Sequence, residues 1–167
     1  QGLTSSELEA YRLPTKEQLN LFNPRSIFLG SFFEWNSWDN VELAKQHGFE
    51  SNPIHLKTGL WHFADVDCHF ISIHHFLKWF KFGITRSFDN LSLEIRQGFI
   101  NRDTAKKKLT ELGLQQPYED IEKFCEFTGK TQKWFWDVAE SHRNKEIWKL
   151  VDGIWKIPDF LIEDWEW

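Results

Sequence analysis

The sequence has no methionine and only two cysteines and two tyrosines among its 167 residues. The two cysteines, Cys68 and Cys125, form no CxxC pair and offer no disulfide framework, which favours a reduced, cytoplasmic setting. Because no initiator methionine is present, we expect the chain to begin inside a longer gene product or to follow processing. No apolar run approaches the ~20 residues that a membrane-spanning helix needs, so no membrane span is expected.

An excess of positive charge is also missing. Lysine and arginine number 20 against 25 aspartates and glutamates, which gives a net charge of −5. A nucleic-acid-binding domain normally needs a basic face, so nucleic acid is an improbable partner. The sequence is rich instead in aromatic residues, with 10 tryptophans and 16 phenylalanines. This content predicts a bulky core and some apolar surface that contacts a partner.

Phosphate-loop and metal-binding motifs are absent as well. Neither GxxxxGK[ST] nor GxGxxG occurs. Histidines crowd residues 62–75, but no CxxC, HxxxH or HExxH spacing is found there, and adjacent residues such as His74 and His75 point about 100° apart on a helix. We therefore expect no metal site. A metal-dependent hydrolase built on these histidines is kept as a minor alternative.

The first third of the chain predicts two short helices, a strand and a longer helix. The helices cover 5–12 and 15–22, and Thr15 with Gln18 forms a capping box at the second. The apolar run 26–33 predicts a buried strand, and Ser37 is the expected cap of a helix over 38–47. One short strand cannot form a sheet alone. It either pairs with 56–63 or, as we favour, forms the edge of a sheet whose other strands lie outside this chain.

The remainder predicts an array of helices followed by a hairpin. We expect helices over 67–82 with Asp67 as the cap, 86–97, 101–112 or 103–112, 118–127 and 131–142, with glycines at their carboxyl ends. The first is apolar on every side, which predicts a central position in the domain. The pair Asp152-Gly153 between two apolar runs is a strong hairpin signal. The tail, 162–167, is expected to be mobile or docked on a partner.

A group of cations near Gly83 is the strongest candidate binding feature. Lys78 and Lys81 lie three residues apart and share a helix face with His74, and Arg86 begins the next helix. Free N–H groups at a helix start favour phosphate, pyrophosphate or a carboxylate. The same spacing is equally typical of solvated surface cations beside an apolar helix.

Two further charges lie on the helix that Arg86 begins. Asp89 and Arg96 are seven residues apart and therefore on one side of it. They could position Arg86, or they could form an ordinary surface salt bridge.

Three runs of this sequence resemble a known family. They are LPTKEQLNLFNPRSIFLGSFFEWNSWDNVELAKQHGF, DCHFISIHHFLKWFKFGITRSFDNLSLEIRQGFINRD and FTGKTQKWFWDVAESHRN, in that order along the chain. They are similar to the bacterial N-acetyl sugar amidotransferases, the ATP-dependent family that includes the WbpG and PseA proteins. The residues that match its central block are Lys81, Gly83, Arg86, Asp89 and Arg96. The chain departs from the pattern around Arg86, where Thr85, Ser87 and Phe88 replace smaller residues.

The resemblance implies a fold and a domain organisation. The fold would be mainly α (α+β), with residues 1–63 the tail of an α/β ATP-pyrophosphatase-like domain that carries its last strand–helix unit. Residues 64–144 would form the helical C-terminal domain, and 145–167 a hairpin with an acidic, tryptophan-rich tail. The phosphate loop and cysteine-rich zinc motif of the family's N-terminal domain do not occur here.

The resemblance also implies a reaction. ATP, with Mg²⁺, would adenylate the N-acetyl oxygen of a nucleotide-linked or free acidic sugar and release pyrophosphate. Ammonia would then displace AMP and leave an acetamidino group, in the biosynthesis of lipopolysaccharide O-antigen or flagellar glycan. Ammonia would come from a HisH-like glutaminase through a HisF-like synthase. Lacking the ATP loop, this chain alone would be inactive and would bind no cofactor.

For the individual residues, the resemblance implies that Lys81, Arg86 and Lys78 contact phosphate or substrate. Asp89, Arg96 and Gly83 would position them. Without the resemblance, the rival function is a non-enzymatic helical module whose tryptophan-rich faces bind a partner protein.

Overall fold

The computed structural model describes residues 2–53, 57–68 and 70–167. The chain divides into two compact units, residues 1–47 and 48–167. Within the described residues, the secondary structure consists of seven α-helices and one two-stranded hairpin. The helices are α1 Lys16–Phe22, α2 Ser37–Gln46, α3 Ile71–Phe82, α4 Arg86–Arg96, α5 Arg102–Leu112, α6 Tyr118–Thr128 and α7 Gln132–Ser141, and the strands are β1 Lys149–Val151 and β2 Ile154–Lys156. None of these helices is long and apolar enough to cross a bilayer. The mainly α fold with a C-terminal hairpin is confirmed.

The first unit contains α1 and α2 with short 3₁₀ turns at Glu9–Tyr11 and Leu29–Ser31. Thr15 caps α1 in the predicted capping box, its side chain accepting from the N–H of Gln18 while the Gln18 side chain accepts from the N–H of Thr15 at 2.8 Å. The first predicted helix is reduced to the turn Glu9–Tyr11, and α2 begins at Ser37 because Asn36, one residue earlier, is its cap.

The predicted strand over 26–33 is wrong. The segment contains the 3₁₀ turn Leu29–Ser31, and Ile27 and Phe28 are exposed. A strand needs a partner to bond its backbone groups. Within the described residues the only β pairing is that of β1 with β2, so 26–33 has no strand beside it, and the described part of 56–63 is not a strand either.

The second unit is built around α3, which contacts α4, α6 and α7. This central position confirms the expectation from its all-round apolar sequence. Its buried side chains pack with those of the neighbouring helices in one core. The residues of that core include Ile73, Phe76, Trp79, Phe80, Leu91, Leu109, Ile121 and Phe135.

Helix boundaries in this unit follow the predicted signals closely, with one exception. Gly83 ends α3 with a left-handed φ of 66°, and Asn101 and Thr131 cap α5 and α7 through their side chains. The exception is Asp67, which does not cap α3, because that helix begins four residues later at Ile71. The residues before it instead form an irregular segment that becomes a wall of the cavity described below.

The C-terminal region closes the domain. The predicted hairpin is confirmed, with Asp152 and Gly153 both at positive φ (51° and 80°) between Val151 and Ile154, as a two-residue turn of that hand requires. The tail beyond it was wrongly expected to be mobile or partner-docked. Ile162 and Trp165 are buried in the core, and the Trp165 ring lies 5.5 Å from that of Trp79. The tail packs here because α3 offers an indole surface that would otherwise be exposed.

Candidate functional site

A polar cavity of about 690 Å³ opens in the second unit. Its walls come from the irregular segment before α3 and from the amino-terminal turns of α3, α4 and α6. Its lining includes Lys57, Thr58, Gly59, Asp65, Ser72, His75, Arg86, Asn90 and Asp120. Three helix starts and one irregular segment thus converge on one concave surface, the usual form of a ligand site.

Amide side chains fasten one wall of this cavity to the helices. Gln115 accepts from the N–H of Gly59 at 2.9 Å and from the hydroxyl of Ser87 at 2.7 Å. Asn90 accepts from the N–H of Leu60 at 3.0 Å. Residues 57–61 belong to no helix or strand, so their backbone groups lack the hydrogen bonds of regular secondary structure. The bonds to Gln115 and Asn90 take that place and hold the segment in a defined position.

Gly59 allows this wall to lie close to Arg86. Its φ is +81°, in the left-handed region, and an added Cβ would lie 3.0 Å from Cγ of Arg86. Only glycine tolerates both conditions without strain. The segment and α4 therefore meet at van der Waals distance beside the cavity.

Arg86 is the cation, among those predicted from the sequence, that lines the cavity. It donates to the Oδ2 atom of Asp65 through Nη2 (2.9 Å) and Nε (3.1 Å). Asp89 lies farther away, at 4.0 Å from Nη1, and is paired with Lys78. Asp65, rather than Asp89, is therefore the carboxylate that holds Arg86.

His75 is buried at the same place and is held in its neutral form. Its Nδ1 lies 3.1 Å from the hydroxyl of Thr58, and its Nε2 lies 3.6 Å from Oδ2 of Asp65. Burial lowers the pKa of His75 to about 4, the neighbouring Arg86 adds to this, and Asp65 opposes it.

A second group of paired charges lies at the other side of the cavity. Lys57 donates to Asp120 at 2.5 Å and lies 3.0 Å from Glu119, and Ser72 donates to the other oxygen of Asp120 at 2.5 Å. The hydrogen bond to Asp120 raises the pKa of Lys57 above its ordinary value. Asp120 is buried, so this pairing satisfies a carboxylate that would be costly to bury alone.

The described lining of the cavity is acidic on balance. It includes three cations (Lys57, Arg86 and Lys123) and five carboxylates (Glu50, Asp65, Asp67, Glu119 and Asp120), and Lys57 and Arg86 are already ion-paired. Such a surface offers both donors and acceptors and little attraction for a polyanion. It suits the hydroxyl and amide groups of a sugar, so the diphosphate of a nucleotide-linked sugar would have to extend outside the cavity.

The other residues predicted from the sequence lie away from the cavity. Lys78 is paired with Asp89, whose Oδ2 lies 4.0 Å from Nη1 of Arg86. Arg96 is exposed in the last turn of α4. Lys81 faces an apolar groove, with its Nζ 5.4 Å from the ring of Phe82. Gly83 lets Ile157, the residue after β2, approach the end of α3, since a Cβ at Gly83 would collide with the Ile157 side chain.

That groove, of about 510 Å³, lies between α3, α6 and α7. Its apolar lining includes Leu77, Phe124, Trp134 and Val138, and its polar lining consists of His74, Lys81 and His142. The predicted cation group is therefore divided between two surfaces, with Arg86 at the cavity and Lys81 at the groove.

Of these cavity residues the sequence analysis found only Arg86 as a binding candidate, and those it missed include Lys57, Thr58, Ser72, Asn90 and Asp120. No periodic pattern or spacing marks them, because they come from an irregular segment and from three helices that are separated in sequence. Within the part of the chain that the structure describes, no three histidine, cysteine, aspartate or glutamate side chains converge as metal ligands would.

Comparison with known proteins supports one family. The family model described as "LPS biosynthesis protein WbpG-like, C-terminal domain" matches residues 48–161, which contain every wall of the cavity and the groove. No curated protein matches the chain. The match extends over more than half of the sequence and falls within the second unit, 48–167. The chain belongs to the family of WbpG-like lipopolysaccharide biosynthesis proteins, whose C-terminal domain it carries.

Proposed function

We propose that this chain is part of an ATP-dependent amidotransferase that converts a sugar N-acetyl group to an acetamidino group for surface polysaccharide or flagellar glycan. The observation that carries the proposal is that the WbpG-like match encloses the polar cavity with Arg86 on its wall. In this proposal the cavity holds the sugar, and the reaction takes place in the cytoplasm.

The chain's own residues would bind and orient the sugar. The carboxylates of Asp65 and Asp120 accept hydrogen bonds from hydroxyl groups, and Arg86 and Lys57 donate to ring and hydroxyl oxygens. Because these four groups are already paired with each other, they keep their geometry before the ligand arrives. His75, neutral at pH 7, adds no positive charge.

ATP and its Mg²⁺ are assigned to another part of the complete enzyme. The sequence has no glycine-rich phosphate loop, and the described cavity residues form no cluster of metal ligands. ATP would supply the activation of the acetamido oxygen, and a HisH-like glutaminase with a HisF-like synthase would supply ammonia. Lys78 and Lys81, which do not line the cavity, are then not the sugar contacts.

Calorimetric titration with UDP-N-acetylglucosamine tests this assignment through a matched pair of variants. Arg86→Ala should weaken binding about tenfold or more, because a charge-assisted hydrogen bond is lost. Lys81→Ala removes an equal charge from the groove and should leave the affinity unchanged. Circular dichroism of both variants checks that they fold. Equal losses in the two variants, or no binding by the unchanged chain, would contradict the proposal.

The apolar groove favours a second candidate function, a protein-interaction module. Its lining of aromatic and aliphatic side chains beside Lys81 and His142 fits a partner segment with apolar side chains flanked by carboxylates. Glycan formation in cells that produce the complete protein separates the two candidates. If Arg86→Ala abolishes glycan formation and Val138→Glu does not, the amidotransferase is supported. If only Val138→Glu abolishes it, the protein-interaction module is supported.

A further inference from the structure

Asn90 is one of two buried side chains that have a polar atom without a hydrogen-bond partner among the described residues, and it is the one at the cavity. It is 1% exposed and lines the cavity from the second turn of α4. Its Oδ1 accepts from the N–H of Leu60 at 3.0 Å, which fixes the orientation of the carboxamide. Its Nδ2 has no hydrogen-bond partner among the described residues.

An unpaired buried donor is unusual in a folded protein. Most buried polar groups have a partner, and leaving one without a partner destabilises the folded state. At this position the carboxamide is needed for its oxygen, which accepts from the N–H of Leu60, and it carries an NH₂ group that no described residue satisfies. On a cavity wall, an atom of a bound ligand can accept from that donor.

The surroundings of Asn90 restrict the nature of that atom. Besides the paired charges of Asp65 and Arg86, the cavity lining contains apolar side chains: Leu60, whose N–H donates to Asn90, and also Ala64 and Ile71. An acetamido group combines a strong carbonyl acceptor with a methyl group, and these two parts fit a lone N–H donor beside small apolar side chains. A hydroxyl group supplies no such methyl contact.

We propose that Nδ2 of Asn90 donates a hydrogen bond to the carbonyl oxygen of a sugar acetamido group, so that Asn90 selects N-acetylated sugars. The inference rests on the proposed function, because it names the group of the sugar that the cavity recognises. Arg86 lies one helical turn earlier, and its Cγ and the Oδ1 of Asn90 are 3.0 and 3.2 Å from the position of an added Cβ at Gly59. Because Nδ2 is buried, the ligand reaches it only if a neighbouring side chain moves.

The first test compares two ligands that differ only at this group, UDP-N-acetylglucosamine and UDP-glucose. The unchanged chain should bind the first at least about tenfold more tightly by calorimetry. Asn90→Asp keeps an oxygen for the N–H of Leu60 and removes the donor. It should lower the affinity for UDP-N-acetylglucosamine to the affinity of the same variant for UDP-glucose.

Trp148→Phe provides the control, because the Nε1 of Trp148 is also buried without a described partner but lies in the aromatic core. It should leave the preference between the two sugars intact. A second measurement needs no variant. In a chain labelled with ¹⁵N-asparagine, the Asn90 side-chain amide signal should shift with UDP-N-acetylglucosamine and not with UDP-glucose.

The outcomes separate this inference from the proposed function. Equal binding of both sugars, or a preference that survives Asn90→Asp, overturns the role of Asn90 and leaves the cavity as a sugar site. Binding of neither sugar by the unchanged chain overturns both.

Discussion

Acid should destabilise this domain through His75, and the size of the effect follows from its burial. The imidazole is 5% exposed, and its pKa falls from an ordinary 6.5 to about 4. In the unfolded chain it accepts a proton near pH 6.5, whereas in the folded domain it stays neutral until about pH 4. The contribution of neutral His75 to the free energy of unfolding is therefore fully present above pH 6.5. It is lost as the pH decreases from 6.5 to about 4. With about 1.4 kcal/mol for each pKa unit, the loss reaches about 3 kcal/mol at pH 4.

The groups around His75 determine this sign. Arg86, His74 and Lys78 disfavour its protonation, and the carboxylate of Asp65 at 3.6 Å favours it without overcoming the cost of burial. Thr58, at Nδ1, is neutral. Hence Asp65 compensates the added proton only in part, and protonation of the buried imidazole destabilises the folded domain.

Urea unfolding of the unchanged chain and of His75→Gln, between pH 7.5 and 4, measures the effect. The free energy of unfolding should fall more steeply in the unchanged chain, and the difference between the two proteins should narrow by about 3 kcal/mol over the window. His142→Gln, at an exposed histidine, should follow the unchanged chain. Parallel curves for the unchanged chain and His75→Gln would refute the reasoning.

Three substitutions test other parts of the structure by thermal unfolding. Gly59→Ala places a Cβ at a left-handed φ and against Arg86, so it should lower the free energy of unfolding by about 1–3 kcal/mol. It should also weaken UDP-N-acetylglucosamine binding. An unchanged affinity would show that the close approach of Gly59 to Arg86 does not matter to the site. Gly83→Ala should cost a similar amount through its clash with Ile157, without altering sugar affinity. Trp165→Ala should cost about 3–5 kcal/mol, as removal of a buried indole does, and a negligible loss would mean that the tail does not pack on the core.

The helices and the hairpin could be predicted because their signals are local. Glycine at positive φ ends α3, a side-chain cap starts α5 and α7, and Asp152-Gly153 adopts the turn that its sequence favours. The strand predicted over 26–33 was wrong because strand-forming residues indicate a strand only where a partner strand exists. The prediction of a mobile or partner-docked tail was wrong because the acidic residues of the tail do not indicate that Ile162 and Trp165 are buried in the core.

The site could be predicted only in part, since its residues come together through tertiary structure. Arg86 was found because it begins a helix and matches a family block. Lys78 and Lys81 were grouped with it by sequence spacing, yet Lys78 is drawn to Asp89 on α4 and Lys81 faces the groove on another side of α3. The partner of Arg86, Asp65, lies in an irregular segment where no periodicity indicates which side chains face inward.

Mapping of UDP-N-acetylglucosamine binding by NMR on this chain tests the central claim most directly. The account predicts chemical-shift changes at the signals of cavity residues such as Gly59, Trp61, Arg86 and Asn90, with none at the groove residues Trp134 and Val138. Changes confined to the groove, or an unchanged spectrum at saturating ligand, would contradict the claim that this cavity holds the sugar.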